Sequence, residues 1–205
     1  DSAESLEFTK RAFELSEKFD TPVIIRLTTR VAHSRSVAPV SERVDNGLKE
    51  YTKNPQKYVM VPANAKVKHV VVEQRVLDQT AYCETGADGL NTVEYNSKKI
   101  GVIASGICYQ YAKEALGENA SYLKLGCVYP LPVQMIKDFA AECDKVYVLE
   151  ELDDYIETHC RKNGIDVIGK EAFTLQGEYS QSLISKVILG KETESLKADV
   201  NIVPR

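Results

Sequence analysis

Lys99-Ile100-Gly101-Val102-Ile103-Ala104-Ser105-Gly106 is an apolar run that closes on small residues, and a helical pattern starts directly after it. Ile107, Cys108, Tyr111, Ala112, Ala115 and Leu116 recur at helical spacing and make one broad apolar face. A buried strand, a tight glycine turn and an amphipathic helix form the first half of a β–α–β unit. In such sheets ligands bind beyond the carboxyl ends of the strands, so this turn is the first place to look for chemistry.

Downstream the alternation continues. Tyr122 to Cys127 reads as a strand, Tyr129-Pro130-Leu131-Pro132 as a rigid turn, and Val133, Ile136, Phe139, Ala140 and Cys143 as a helix face. Val146 to Leu149 is a further strand ending in Glu150-Glu151. Tyr155 to Asn163 is a helix stopped by Gly164, and Val167-Ile168 is a short strand. Ser180 caps a last helix with Leu183, Ile184, Val187 and Ile188 inward, ended by Gly190, and Lys191 to Arg205 is a tail. Short strands separated by helices predict an α/β fold: a mostly parallel, three-layer sheet with right-handed crossovers.

Upstream, Asp1 and Glu4 form a capping box, and Phe8, Ala12, Leu15 and Phe19 carry a helix to about Phe19. Asp20-Thr21-Pro22 breaks it, and Val23 to Thr28 reads as a strand. That pair looks like the last α–β unit of a sheet whose other strands are missing, with exposed strand edges. Thr28 to Arg35 is a polar, basic loop past the strand's carboxyl end; it reads either as an anion- or substrate-facing loop or as a solvated connection. Asn54-Pro55 signals a turn. Pro62 suits the first turn of a long helix that runs to about Glu84 and is closed by Gly86. Gly86 to Asn96 is loop with a short strand at Thr92 to Tyr95.

The 205 residues are 43% hydrophobic and 27% charged, with a formal net charge of −4. No Lys/Arg cluster stands out, which argues against nucleic acid and anionic membranes as partners. No apolar run approaches the roughly 20 residues of a membrane span, and no signal peptide opens the chain. Cys83, Cys108, Cys127, Cys143 and Cys160 are widely spaced without a C-x-x-C pair, so they read as reduced core residues, as in the cytoplasm. The chain begins at Asp1 with a helix already under way, which suggests a piece of something larger.

The motifs exclude more than they assign. The turn at Gly106 lacks the second glycine of a dinucleotide fingerprint, and no P-loop follows a Gly-rich run. Ser105 is not in a G-x-S-x-G elbow. His33, His69 and His159 are scattered, so no metal site is expected. Glu150-Glu151, followed by Asp153-Asp154, fits helix capping or pairing with a neighbouring domain better than general acid–base work. No complete catalytic constellation is present.

The stretch from Thr21 to Arg35 nevertheless resembles a known family, together with Val61-Pro62-Ala63-Asn64-Ala65-Lys66, Ile100 to Gly106 and Leu123-Lys124-Leu125-Gly126. Tyr129-Pro130-Leu131-Pro132, Val148-Leu149-Glu150-Glu151 and Phe173-Thr174-Leu175-Gln176-Gly177-Glu178 extend the match in order along nearly the whole chain. The family is that of the indolepyruvate:ferredoxin oxidoreductase alpha subunits, among the 2-oxoacid:ferredoxin oxidoreductases. The resemblance implies thiamine diphosphate held with magnesium between two domains, oxidative decarboxylation of an arylpyruvate, electron transfer through 4Fe-4S clusters to ferredoxin, and acyl transfer to coenzyme A. It also implies a beta subunit and the remaining domains of the alpha subunit as partners.

On that resemblance, residues 1–60 match the C-terminal part of a pyrimidine-binding domain, 61–98 a linker helix and loop, 99–190 a transketolase C-terminal-like domain, and 191–205 a tail. The activating glutamate segment and the Cys-rich cluster segment of the family have no match in this chain. The chain alone is therefore expected to be an inactive scaffold and interface portion that binds none of these cofactors. Arg30, His33, Ser34 and Arg35 match a loop facing the active centre, although Ser36 stands where the family has glycine. Glu150 and Glu151 are expected at a domain interface. The alternative reading is a free-standing α/β module that binds a small ligand or a protein.

Overall fold

The structure, a computed structural model, describes residues 1–192. It divides into two compact units. The first comprises Asp1–Thr92 with Leu125–Met135, and the second Val93–Lys124 with the residues from Ile136 onward. The elements are α1 (Ser2–Phe19), α2 (Thr29–His33), α3 (Pro55–Tyr58), α4 (Pro62–Glu84), β1 (Asn91–Glu94), β2 (Gly101–Ala104), α5 (Ile107–Leu116), β3 (Ser121–Leu125), α6 (Val133–Ala141), β4 (Val146–Leu149), α7 (Tyr155–Lys162) and α8 (Gln181–Leu189).

The second unit is built on a sheet of order β1-β3-β2-β4, with β2 parallel to both β3 and β4. The quoted stretch supplies its central strand: Gly101, Val102, Ile103 and Ala104 are all buried. A strand buried on both faces needs no polar alternation, which is why the sequence there is a continuous apolar run. Register places Val102 beside Tyr122 and Tyr147, and Ile103 beside Leu123 and Val148. On one face Val102, Ala104, Tyr122 and Leu149 pack with Cys108, Ala112 and Leu116 of α5 and Ile184 of α8. On the other, the Gly101 position opens on α6: a Cβ there would meet the Cys143 sulfur at 2.8 Å and the Phe139 ring at 3.2 Å. The glycine lets a helix approach the strand backbone.

One predicted feature of this unit is corrected. Val167-Ile168 makes a single parallel bridge from Ile168 to Tyr147 in place of a fourth strand. The predicted tail at 191–205 lies outside the described residues beyond Glu192. The α8 limits agree with the reading: Ser180 accepts from the Leu183 N–H, and Gly190 takes a left-handed conformation with φ +66°.

The first unit is helical. α1 begins as read, with the Asp1 carboxylate accepting from the Glu4 N–H at 2.8 Å. α4 matches its predicted span, with Pro62 in its first turn. The predicted strand Val23 to Thr28 does not form: none of these residues has a strand partner among the described residues, and Ile24 is 90% exposed. A strand needs a neighbouring strand to satisfy its N–H and C=O groups, and a β-branched run alone does not provide one. No residue of α1 is buried, and Cys83 is the single buried residue of α4.

Candidate functional site

The topology of the second unit locates its crevice. From β2 the chain leaves through α5 to β3 on one side. From β4 it leaves through α7 to the Ile168 bridge on the other. The connections diverge at the carboxyl ends of β2 and β4, where Ala104 is paired with Leu149. This is the position at which open α/β sheets form a ligand crevice. The residues that follow are Ser105-Gly106 on one strand and Glu150-Glu151 on the other.

Glu150 is buried, and its two carboxylate oxygens accept from the Ile156 N–H at 2.8 Å and the Glu157 N–H at 2.9 Å. These are first-turn donors of α7, which have no partners within the helix. Burial pushes the Glu150 carboxyl up, against the two N–H bonds and the Lys170 charge that hold it down. Lys170 donates through its ammonium to the Glu150 carbonyl and to the Tyr179 hydroxyl, the latter at 3.0 Å. Tyr179 is buried, stacks on Phe173 at 5.4 Å, and donates its hydroxyl to the Thr174 carbonyl. Its backbone N–H donates to Glu151 at 2.8 Å. Beneath them lies Cys108, whose thiol burial pushes up to about 12, with Glu151 adding to the effect.

Lys170 and Tyr179 were not singled out in sequence. Their signal was faint: a lysine after Gly169 and a tyrosine after the Gly177-Glu178 pair, both in a segment without periodicity. Chemically the arrangement is a brace. It fixes the start of α7 and the 170–179 segment against the strand ends, and its one thiol is fully protonated at neutral pH.

In the first unit the predicted loop from Thr28 to Arg35 is partly a short helix. Thr28 caps α2 by accepting from the Val31 N–H, and Ser34 closes it, its hydroxyl donating to the Val31 carbonyl at 2.9 Å. Arg30 and His33 thus share one helical turn, three residues apart, with Ser34 and Arg35 following; all four are exposed.

A second polar cluster lies at the end of α4. Asn91, 3% exposed, accepts with its side-chain oxygen from the N–H groups of Gly126 (3.0 Å) and Cys127 (2.9 Å), and its amide donates to the Cys83 carbonyl at 3.3 Å. Glu84 accepts from the N–H groups of Gln134 and Met135, both at 2.8 Å. The sequence reading treated Asn91 as loop, because partners so distant along the chain leave no local pattern.

These geometries define a parallel α/β sheet domain with a braced switch point, preceded by a helical unit rich in exposed apolar groups. Comparison with known proteins narrows the class. The chain is 36% identical over 207 residues to indolepyruvate oxidoreductase subunit IorA of Methanothermobacter thermautotrophicus, covering 93% of this chain and 33% of that protein. The IorA subunits of Archaeoglobus fulgidus (33% identical, 82% of this chain, 27% of that protein) and Thermococcus kodakarensis (35%, 75% and 25%) match likewise. The chain is similar to these IorA subunits over most of its own length, and it spans about a third of their length or less. A solved 2-oxoglutarate:ferredoxin oxidoreductase from Magnetococcus marinus superposes on 87% of this chain and 30% of that chain, with a TM-score of 0.47 and 19% identity. No protein-family model matches.

Proposed function

We propose that this chain is a scaffold and interface portion of an oxidoreductase that decarboxylates indolepyruvate and related arylpyruvates, forms an aryl-acetyl-CoA and passes the electrons to ferredoxin. The observation that carries this reading is the identity of 31% to 36% with six IorA subunits over 75% to 93% of the chain. In this reading residues 1–60 belong to a pyrimidine-binding domain, 61–98 link it onward, and 99–190 form an accessory domain like the transketolase C-terminal domain. The remaining domains of the subunit, a beta subunit, ferredoxin, coenzyme A and the arylpyruvate are the partners, in the cytoplasm.

The chemistry calls for thiamine diphosphate with magnesium and for 4Fe-4S clusters, and the described residues do not fit them. Among those residues no three His, Cys, Asp or Glu side chains gather as a ligand set. The five cysteines are free thiols and no three of them converge, where a cluster needs four converging thiolates. We therefore assign no reaction step to these side chains.

What the residues supply is shape. The Glu150–Lys170–Tyr179 brace stiffens the carboxyl edge of the sheet, and half-buried Glu151 is the carboxylate of the pair with surface to offer a neighbouring domain. Arg30 and His33 on one turn, with Ser34 and Arg35 directly after it, form an exposed polar, basic segment suited to a carboxylate such as that of a 2-oxoacid. Exposed Ile24, Val37, Val40 and Leu48 supply apolar surface for the rest of the subunit to cover.

The test uses the native complex that contains this chain. Indolepyruvate and coenzyme A should together drive reduction of a viologen dye, and Arg30→Ala should raise KM for the arylpyruvate. Absence of dye reduction with any arylpyruvate would overturn the reading. For the isolated chain, titration calorimetry with thiamine diphosphate and magnesium should show no binding, and micromolar affinity would contradict the assignment as scaffold.

A further inference from the structure

We propose that Cys127 and Cys83 form a redox-modification site: on meeting a hydroperoxide they close into a reversible disulfide. Nothing in the reading above assigns either residue a role, and the proposal does not depend on that reading.

The geometry brings the two together from distant parts of the first unit. Cys83 lies in the last turn of α4, and Cys127 follows the end of β3. The Asn91 side chain bridges their backbones, bonded at once to the Cys83 carbonyl and the Cys127 N–H. Gly126 tightens the approach: its N–H donates to the Leu90 carbonyl at 3.0 Å, and a Cβ there would lie 2.3 Å from that oxygen. With the backbones held so, the two sulfurs lie near enough that each shifts the other's titration.

The two thiols differ in a way that assigns their roles. Cys83 is 3% exposed, whereas Cys127 keeps part of its surface open. The neighbouring Cys83 thiol holds Cys127 below the ordinary thiol range, while Cys127 and burial push Cys83 up. The other three cysteines are all raised by burial, Cys108 and Cys160 to about 12. Cys127 is thus the partly exposed thiol whose thiolate is stabilised, and Cys83 is the protected partner beside it, the arrangement that makes a cysteine a peroxide target with a resolving thiol.

The step balances. The Cys127 thiolate attacks one oxygen of the hydroperoxide, the O–O bond breaks, and the leaving oxygen takes a proton as water or alcohol. Cys127 is then a sulfenic acid. Cys83 loses its proton, its sulfur attacks the Cys127 sulfur, and the sulfenic oxygen leaves as water. Two thiols are oxidised to one disulfide while the hydroperoxide is reduced. A dithiol reductant restores the pair.

The native protein, fully reduced, is treated with hydrogen peroxide at neutral pH and mapped by mass spectrometry without reduction. The expected product joins the peptides of Cys83 and Cys127, lighter by two hydrogens and separated by dithiothreitol, with Cys108, Cys143 and Cys160 still thiols. In Cys83→Ser, dimedone should capture Cys127 as a sulfenic acid. Because a serine at that buried position can disturb folding, alkylation of the unaltered protein is an independent readout: iodoacetamide should modify Cys127 about tenfold or more faster than Cys143. Absence of the joined peptide, or alkylation of Cys127 no faster than of Cys143, would overturn the proposal.

Discussion

The two units of this chain use similar apolar residues to opposite ends. In the second, Val102, Ile103, Leu123, Ile136, Phe139 and Val148 are all at most 2% exposed. In the first, Phe13 is 74% exposed, and Val67 and Val70 on α4 are each 69% exposed, although all three sit in well-formed helices. Periodicity therefore specifies a helix and the face it would bury. It does not specify that a partner is present within the same chain. The contrast fits the proposal that the second unit is a sheet domain sufficient in itself and the first a surface covered by a partner.

The comparison breaks most easily on a matched pair of phenylalanines. Phe139→Ala empties a fully buried site and should cost about 3–5 kcal/mol in chemical denaturation of the second unit. Phe13→Ala should change stability by no more than about 0.5 kcal/mol. Equal effects would erase the distinction between the units.

Asn91→Ala sharpens it from the other side, since the first unit does contain one tightly satisfied region. The substitution strands the Cys127 N–H, leaves the Gly126 N–H only its bond to the Leu90 carbonyl and removes the bond to the Cys83 carbonyl, and should cost about 1–3 kcal/mol, measured by the same titration. A neutral result would show that the end of α4 is as loosely held as the rest of its helix.

Acid provides the smallest effect. Bonds from Asn96 and Lys113 hold the Glu94 carboxyl below its usual value of 4.5. The folded value is depressed, so its contribution is present above the unfolded value and is lost as pH falls through the folded one. Glu94 is 43% exposed in its pair with Lys113, so Glu94→Gln should lower stability at neutral pH by no more than about 1 kcal/mol. It should also flatten the decline below pH 4.5. A decline unchanged by the substitution would place the acid sensitivity elsewhere.

Much of this architecture was legible from local signals. The run at Ile100 to Gly106 announced a doubly buried strand, and the Ser180 cap and Gly190 stop bounded the last helix within a residue of its span. The failures have a common cause. Val23 to Thr28 has the composition of a strand but no strand beside it among the described residues, and Val167-Ile168 had room for one bridge. Thr28 and Asn54-Pro55 were read as loop and turn, yet each begins a short helix, because a cap signals where a helix starts without saying whether tertiary packing lets it form. The Glu150 carboxylate at a strand–helix junction was recognisable as a cap, whereas its brace through Lys170 and Tyr179 joins residues too far apart for any spacing rule. The Cys83–Asn91–Cys127 cluster was hidden for the same reason.

Hydrogen exchange tests the contrast between the units most directly, with the isolated chain set beside the native protein that contains it. The account predicts that amides of β2, β3 and β4 are slow in both, while those of residues 22–61 exchange freely in the isolated chain and become protected in the native protein. Exchange at 22–61 that is equally fast in both, or already slow in the isolated chain, would contradict the proposal that this region is an interface covered by a partner.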